Sequence, residues 1–153
     1  MPKHSKDLPA PKWLNIEDFK FLCFDFAQEF MTYFEPIPDY ATRDNNLLES
    51  ALASPNQAIY QKLLYPTLPK QATILFYSLI KNHPFKNGNK RIAVMSLLAF
   101  LGLNKKWISI NSIDLYKLAY DVSNSDTKEK DRTLKMIEKI ITKHLIDFPQ
   151  SNT

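Results

Sequence analysis

The fold of this chain depends on one predicted loop, His83-Pro84-Phe85-Lys86-Asn87-Gly88-Asn89-Lys90-Arg91. Apolar side chains repeat at helical intervals before the loop, over residues 68–82, and after it, over residues 90–101. Gly102 followed by the apolar Leu103 is typical of a left-handed cap at a helix end. We therefore expect two central helices that are joined by this loop.

The rest of the chain also has helical patterns. A first helix is predicted over residues 16–33, because Asn15 is a favourable N-cap and the prolines of residues 35–38 stop a helix. Three further helices are predicted over residues 47–53, after Asn111-Ser112, and from Ser125-Asp126 to Phe148. Short strands are expected at most within residues 107–110 or 39–46, since no alternating pattern is long enough to build a sheet.

These patterns predict one all-α domain, a compact helical bundle with a loop between two central helices. The expected bounds are residues 15–148 for the domain, 1–14 for a polar N-terminal tail and 149–153 for a C-terminal tail. A chain of 153 residues with 44% hydrophobic side chains is long enough for one core. Its single cysteine, Cys23, lies in an apolar stretch and is expected to be a core residue.

The composition of the chain indicates where the protein is located and which partners it favours. The N-terminus has no apolar segment of the kind that a secretory signal needs. The longest apolar run, Ile92 to Leu103, has about a dozen residues, fewer than the ~20 that span a bilayer. With one cysteine, a reducing cytoplasm is expected, without a membrane partner. The net charge of +4 favours anionic partners weakly, and a nucleic-acid partner would rest on that charge alone.

The predicted loop has the features of an anion site. A helix N-terminus presents free amide donors and the positive end of the helix dipole, and Gly88 would let phosphates approach the backbone closely. Lys90 and Arg91 place two cations in the first turn, where they oppose the dipole unless an anion is bound. Asn87 and Asn89 can donate to phosphate oxygens. Phe85, between polar neighbours, is expected to anchor the loop in the core.

His83 is the best candidate for a general base. It follows the first central helix and stands within one loop of the predicted anion site, where its imidazole could take a proton from an attacking hydroxyl. The other two histidines, His4 and His144, have no ligand spacing with His83, so a histidine metal centre is not expected.

The loop His83 to Arg91 resembles the signature loop of the Fic/Doc family. The segment Arg43 to Pro55 is similar to the one that precedes the core in Doc-like members, and the resemblance covers roughly residues 15–145. It implies a compact Fic/Doc-type helical bundle, in agreement with the independent prediction. Fic proteins usually have glycine where this chain has Lys90, whereas Doc-like proteins have lysine.

The resemblance to Doc implies the toxin half of a toxin–antitoxin system. Doc-like toxins transfer a phosphate from ATP to a threonine of translation elongation factor Tu and arrest protein synthesis. By position, His83 would be the base, Gly88 and Asn89 would cradle phosphates, and Lys90 and Arg91 would hold the nucleotide's charged tail. The residues before Leu47 would form a flap that aligns the target, and an antitoxin would cover the cleft.

One position departs from the family pattern. The family usually has Asp or Glu where this chain has Asn87, and that carboxylate binds Mg²⁺. Asn87 retains an oxygen ligand without the charge, so weaker magnesium binding is expected. The inhibitory pattern of many Fic proteins is matched by Ser125 and Glu129 but not by Lys130, so self-inhibition by that route is not expected.

Two alternative functions remain open at this point. One is a Fic-type AMP transferase, which would move the nucleotidyl group of ATP to a protein hydroxyl, and Lys90 argues against it. The other is a weakened or inactive nucleotide-binding member of the family, for which Asn87 is the support.

Overall fold

The computed structural model describes residues 10–149, and the all-α prediction is confirmed there. Helix α1 covers residues 16–30 and consists of an α-helix, Ile16–Phe19, a π-helical segment, Lys20–Asp25, and an α-helix, Phe26–Phe30. The remaining helices of the described part are α2, Asn45–Ala53; α3, Leu68–Asn82; α4, Asn89–Leu103; α5, Ser112–Ser123; and α6, Lys130–His144. Single 3₁₀ turns are Tyr40–Thr42, Ser54–Asn56 and Thr127–Glu129.

The strands are two- and three-residue pieces. β1, Ala58–Ile59, pairs with β2, Lys62–Leu63, in an antiparallel hairpin. Its turn residues, Tyr60 and Gln61, have φ of 50° and 65°, although left-handed turn positions favour glycine or asparagine. The sequence analysis missed this hairpin because it has no turn signal and no alternation.

Three local predictions are corrected by the structure. α6 ends at His144 instead of continuing to Phe148, because β4, Leu145–Asp147, pairs antiparallel with β3, Lys106–Ile108. The alternative strand position within residues 39–46 is wrong, since a 3₁₀ turn and the start of α2 lie there. Gly102 is also not a left-handed cap: it lies inside α4, and the left-handed residue is Lys105, with φ of 62°.

Helices α3 and α4 form the centre of the bundle. They pack against each other, α2 and α6 cover α3, and α1 and α5 cover α4. The largest fully buried side chains include Phe19, Phe24, Phe76 and Phe100. Cys23 is buried among them, as predicted, and burial raises the pKa of its thiol to about 12.

The predicted tails lie mostly outside the described residues. Where the N-terminal tail is described, Trp13 stacks on Phe100 and Leu14 is buried, so its last residues pack on the bundle. In the described part of the chain, no helix combines the length and the apolar character that crossing a membrane requires.

Candidate active site

The loop between α3 and α4 is shaped by two left-handed residues. His83 ends α3 with φ of 53°, and Gly88 precedes α4 with φ of 83°. His83 is exposed, whereas Phe85, two residues later, is only 2% exposed. Its ring stacks on Phe19 and Phe24, with centroid distances of 6.1 and 5.2 Å. The loop is therefore held in the core at Phe85, while His83 faces solvent.

Asn89 closes the loop on itself. Its side-chain oxygen accepts a hydrogen bond from the Phe85 amide at 3.0 Å, and its Nδ2 donates to the Phe85 carbonyl at 2.7 Å. The side chain is 5% exposed. Both polar groups of the side chain therefore bind the loop, and the backbone amide of Asn89 is a further donor for phosphate. Its contact with phosphate stays a prediction.

Gly88 is required by its own conformation and by packing. A Cβ atom built on Gly88 would lie 2.6 Å from Cγ1 of Ile37, whose side chain is buried. Together with the positive φ, this contact explains the glycine without any ligand. Gly88 was predicted to let phosphates approach the backbone. The structure shows that Ile37 occupies the side of Gly88 on which a Cβ atom would lie.

Arg91 is buried, with an exposed fraction of 2%. Its Nη1 donates to the carbonyl oxygens of Met31 and Tyr33, both at 2.8 Å, and its Nη2 donates to the carbonyl of Glu35 at 2.6 Å. Burial raises the pKa of Tyr33, and the charge of Arg91 opposes that rise. Arg91, predicted to hold nucleotide, here fixes the segment after α1, and phosphate would have to displace these carbonyls.

Asn87 has its polar groups engaged as well. Its Oδ1 accepts the amide hydrogen of Gly88 at 2.8 Å, while its Nδ2 donates to Oε2 of Glu35 at 3.2 Å and to the carbonyl of Pro36 at 3.3 Å. The predicted magnesium ligand therefore turns its oxygen towards its own loop. Glu35 was not predicted as a site residue, yet its carboxylate lies beside Asn87.

The donor set fits magnesium only in part. Within residues 10–149, no three His, Cys, Asp or Glu side chains are grouped closely enough to hold a metal ion. Magnesium is commonly held by one or two carboxylates together with substrate phosphates and water. Glu35, with or without Asn87 Oδ1, could supply the protein share of such a site if nucleotide phosphates supplied the rest.

The start of α4 has the features on which the anion site was predicted. No side chain of the described residues caps this helix, and its first turn contains no acidic residue. The amides of Asn89, Lys90 and Arg91 belong to the first turn, where helix geometry provides no partner. The half-buried Lys90 and the exposed Lys86 add positive charge. These groups remain available to a polyphosphate after Arg91 and both asparagine side chains are engaged.

The segment before α2 is attached to the loop beside His83. The amide of Asp44 donates to the Pro84 carbonyl at 2.8 Å, and Nδ2 of Asn82 donates to the Leu47 carbonyl at 3.1 Å. Of the residues predicted to form a flap, Asp44 therefore contacts the loop directly. Their role in aligning a target stays a prediction.

The fold has a cavity elsewhere, and the predicted catalytic and phosphate-binding groups do not line it. It measures about 310 Å³, lies between α3 and α6, and is lined in part by Lys70, Thr73, Leu134 and Glu138. None of the predicted site residues lines it. A solvent-facing imidazole beside an uncapped helix N-terminus is found at the loop and not at this cavity.

The comparison with protein families matches this architecture. The model of the Fic/DOC family matches residues 14–101, which include α1, the loop and most of α4. The chain belongs to the Fic/Doc family. The resemblance predicted from the loop and from residues 43–55 is therefore confirmed.

A comparison with single proteins gives a more specific likeness. The chain is 40% identical over 62 residues to the protein named "Toxin Doc" from Mycolicibacterium smegmatis. The matched part is 40% of this chain and 48% of that relative, so the chain matches about half of the relative's length. No solved structure matches the chain.

Proposed function

We propose that this Fic/Doc protein is a Doc-like toxin that transfers a phosphate from ATP to a hydroxyl of a translation protein similar to elongation factor Tu. The proposal rests on one observation: the exposed His83 lies in the same loop as the uncapped start of α4, whose first turn contains Lys90. Lys90, at a position where Fic proteins usually have glycine, supports phosphate transfer over AMP transfer.

The proposed reaction uses few groups of the protein. The amides at the start of α4 and the ammonium of Lys90 bind the phosphates of ATP. His83 takes the proton of the target hydroxyl as its oxygen attacks the γ-phosphorus, and the bond from that phosphorus to the β,γ-bridging oxygen breaks. The products are the phosphorylated protein and ADP. Magnesium, when bound, would neutralise charge on the phosphates.

The partners follow from the same proposal. The toxin likeness implies an antitoxin, which we expect to cover the cleft at His83, and the target is the translation protein. Both encounters would take place in the cytoplasm. The segment from Asp44 to Leu47, which is hydrogen-bonded to the loop, is the proposed place for target alignment.

A weakened, nucleotide-binding member of the family is the second candidate. It is favoured by one observation: Asn87, Asn89 and Arg91 all direct their side chains to groups of the protein itself. This candidate predicts ATP binding without turnover. Restoring the usual acid, with Asn87→Asp, would then recover transfer.

Labelled ATP tests the proposal. The purified protein is incubated with magnesium, elongation factor Tu and ATP that carries label at either the γ- or the α-phosphate. We expect γ-label on the target, its loss in His83→Ala, and its retention in His144→Ala, which removes a histidine at the far end of α6. α-Label on the target would reject phosphate transfer in favour of AMP transfer.

A further inference from the structure

Glu35 has a fixed backbone beside the loop. Its carbonyl accepts a hydrogen bond of 2.6 Å from Arg91, and the prolines at positions 36 and 38 restrict the chain that follows. Ile37, two residues later, is buried against Gly88. Although Glu35 is exposed, its position relative to the start of α4 is therefore set by the hydrogen bond from Arg91 and by the buried Ile37.

The Glu35 side chain places a carboxylate beside the loop. Its Oε2 accepts from the neutral amide of Asn87 at 3.2 Å. The ion pairs found between residues 10 and 149 leave its carboxylate without a cationic partner. An ionised carboxylate accepts several hydrogen bonds or metal bonds, so the single contact with Asn87 leaves most of its capacity free.

A free carboxylate at the start of α4 conflicts with the positive surroundings. The helix dipole, Lys90 and Lys86 attract phosphate, whereas Glu35 repels it. Two unit charges about 4 Å apart in water change a binding constant roughly fivefold, and more where water is partly excluded. A divalent cation between the carboxylate and the phosphates reverses the sign, because it attracts both.

We propose that Glu35 makes nucleotide binding at this loop depend on a divalent cation. The carboxylate supplies the negative ligand that Asn87 lacks, positions the cation against the phosphates, and disfavours ATP that carries no metal. This inference rests on the proposed function, because it takes the start of α4 as the phosphate site. It assigns to residue 35 the charge that the family usually places at position 87.

The test compares ATP affinity with and without magnesium. Calorimetric titrations are made with Mg²⁺ or with EDTA on the wild-type protein, Glu35→Gln, Glu35→Asp and the control Glu29→Gln, an exposed carboxylate at the end of α1. Glutamine can still accept the hydrogen bond from Asn87, so Glu35→Gln removes the charge with little change of shape. Thermal unfolding of each variant checks that the fold is kept.

The expected result has opposite signs in the two conditions. Glu35→Gln should bind metal-free ATP roughly fivefold more tightly than the wild type and Mg²⁺–ATP more weakly by a similar factor. Glu35→Asp should keep a gain from magnesium, and Glu29→Gln should match the wild type. A direct titration with Mn²⁺ in the presence of ATP should show weaker Mn²⁺ binding in Glu35→Gln.

Two results would overturn the inference while leaving the proposed function intact. One is equal affinity of Glu35→Gln and the wild type in both conditions. The other is an equal gain of Glu35→Gln in both conditions, which would make Glu35 a simple barrier to nucleotide. Absence of ATP binding in every protein and condition would instead reject the nucleotide site of the proposed function, and this inference with it.

Discussion

Helix α5 begins with a side-chain cap, whereas helix α4 begins with a glycine and two cations. At the start of α5, Oδ1 of Asn111 accepts the Asp114 amide hydrogen at 2.8 Å, and the Asp114 carboxylate suits the helix dipole. At the start of α4, Gly88 has no side chain to offer, and Lys90 and Arg91 oppose the dipole. The start of α5 is therefore arranged for stability.

The start of α4 instead has no side-chain cap from the described residues. Three other helices, α1, α2 and α3, also begin with side-chain caps, provided by Asn15, Asp44 and Thr67. The free amides of α4 occur next to the exposed His83 and near the Glu35 carboxylate, which has no cationic partner among residues 10–149. The start of α4 therefore lacks the cap that stabilises these helices, and its available polar groups lie close together.

The largest expected effect is on chemistry. Replacing His83 by alanine should lower the rate of phosphate transfer by about 100-fold or more, because a general base contributes on that order. His83 is exposed at the end of α3, so the free energy of unfolding should stay close to that of the wild type. Label transfer and urea unfolding measure the two quantities. Full transfer activity in the variant would exclude His83 as the base.

The two glycines of the chain, one before α4 and one inside it, should respond in opposite ways. Gly88→Ala should destabilise the fold by about 2 kcal/mol, because its φ is left-handed and Cγ1 of Ile37 blocks a Cβ atom. Gly102→Ala should stabilise it by up to about 1 kcal/mol, because Gly102 is helical and its nearest contact is an ordinary 3.7 Å from Phe148. Urea unfolding measures both, and equal effects would contradict the difference.

Lys90 should matter for binding and not for stability. Lys90→Gln should weaken ATP binding about tenfold through loss of a charge-assisted contact, while the unfolding free energy stays equal or rises by a few tenths of a kcal/mol. Calorimetric titration and urea unfolding give the two numbers. The matched variant is Lys117→Gln on α5, where neither quantity should change appreciably. A loss of stability without loss of affinity in Lys90→Gln would refute the binding role.

Asn111 should show the reverse behaviour. Asn111→Ala removes the cap of α5 and should cost about 1 kcal/mol of unfolding free energy. ATP affinity should be unaffected, since the cap lies outside the proposed site. Reduced ATP affinity in this variant, at a temperature where it is fully folded, would show that the two helix starts are not independent.

The sequence predicted local features better than distant contacts. The loop, the central helices and the caps at Asn15 and Asn111 could be predicted because their signals lie within a few neighbouring residues. The hairpin at residues 58–63 and the last strand were missed, since pairing partners decide such short strands. The end of α6 was misplaced for the same reason.

The candidate site was predicted as a place, and its internal contacts were not. The bonds of Arg91 and Asn87 to the segment after α1 join residues more than 50 positions apart. No local pattern contains such contacts. Arg91 was therefore predicted to bind phosphate and Asn87 magnesium, and Glu35 was missed. Asn89 was predicted to bind phosphate. Its hydrogen bonds to Phe85 could not be predicted, because they depend on the shape of the closed loop.

The most direct test of the difference between the helix starts is an NMR titration. Isotope-labelled protein is titrated with Mg²⁺–ATP while the signals of its backbone amides are recorded. We expect the amide signals of residues 89–91 to shift at the lowest ATP concentrations, while those of residues 113–115 at the start of α5 stay in place. Shifts at the cavity between α3 and α6, with the amides of residues 89–91 unmoved, would contradict the assignment of the α4 start as the phosphate site.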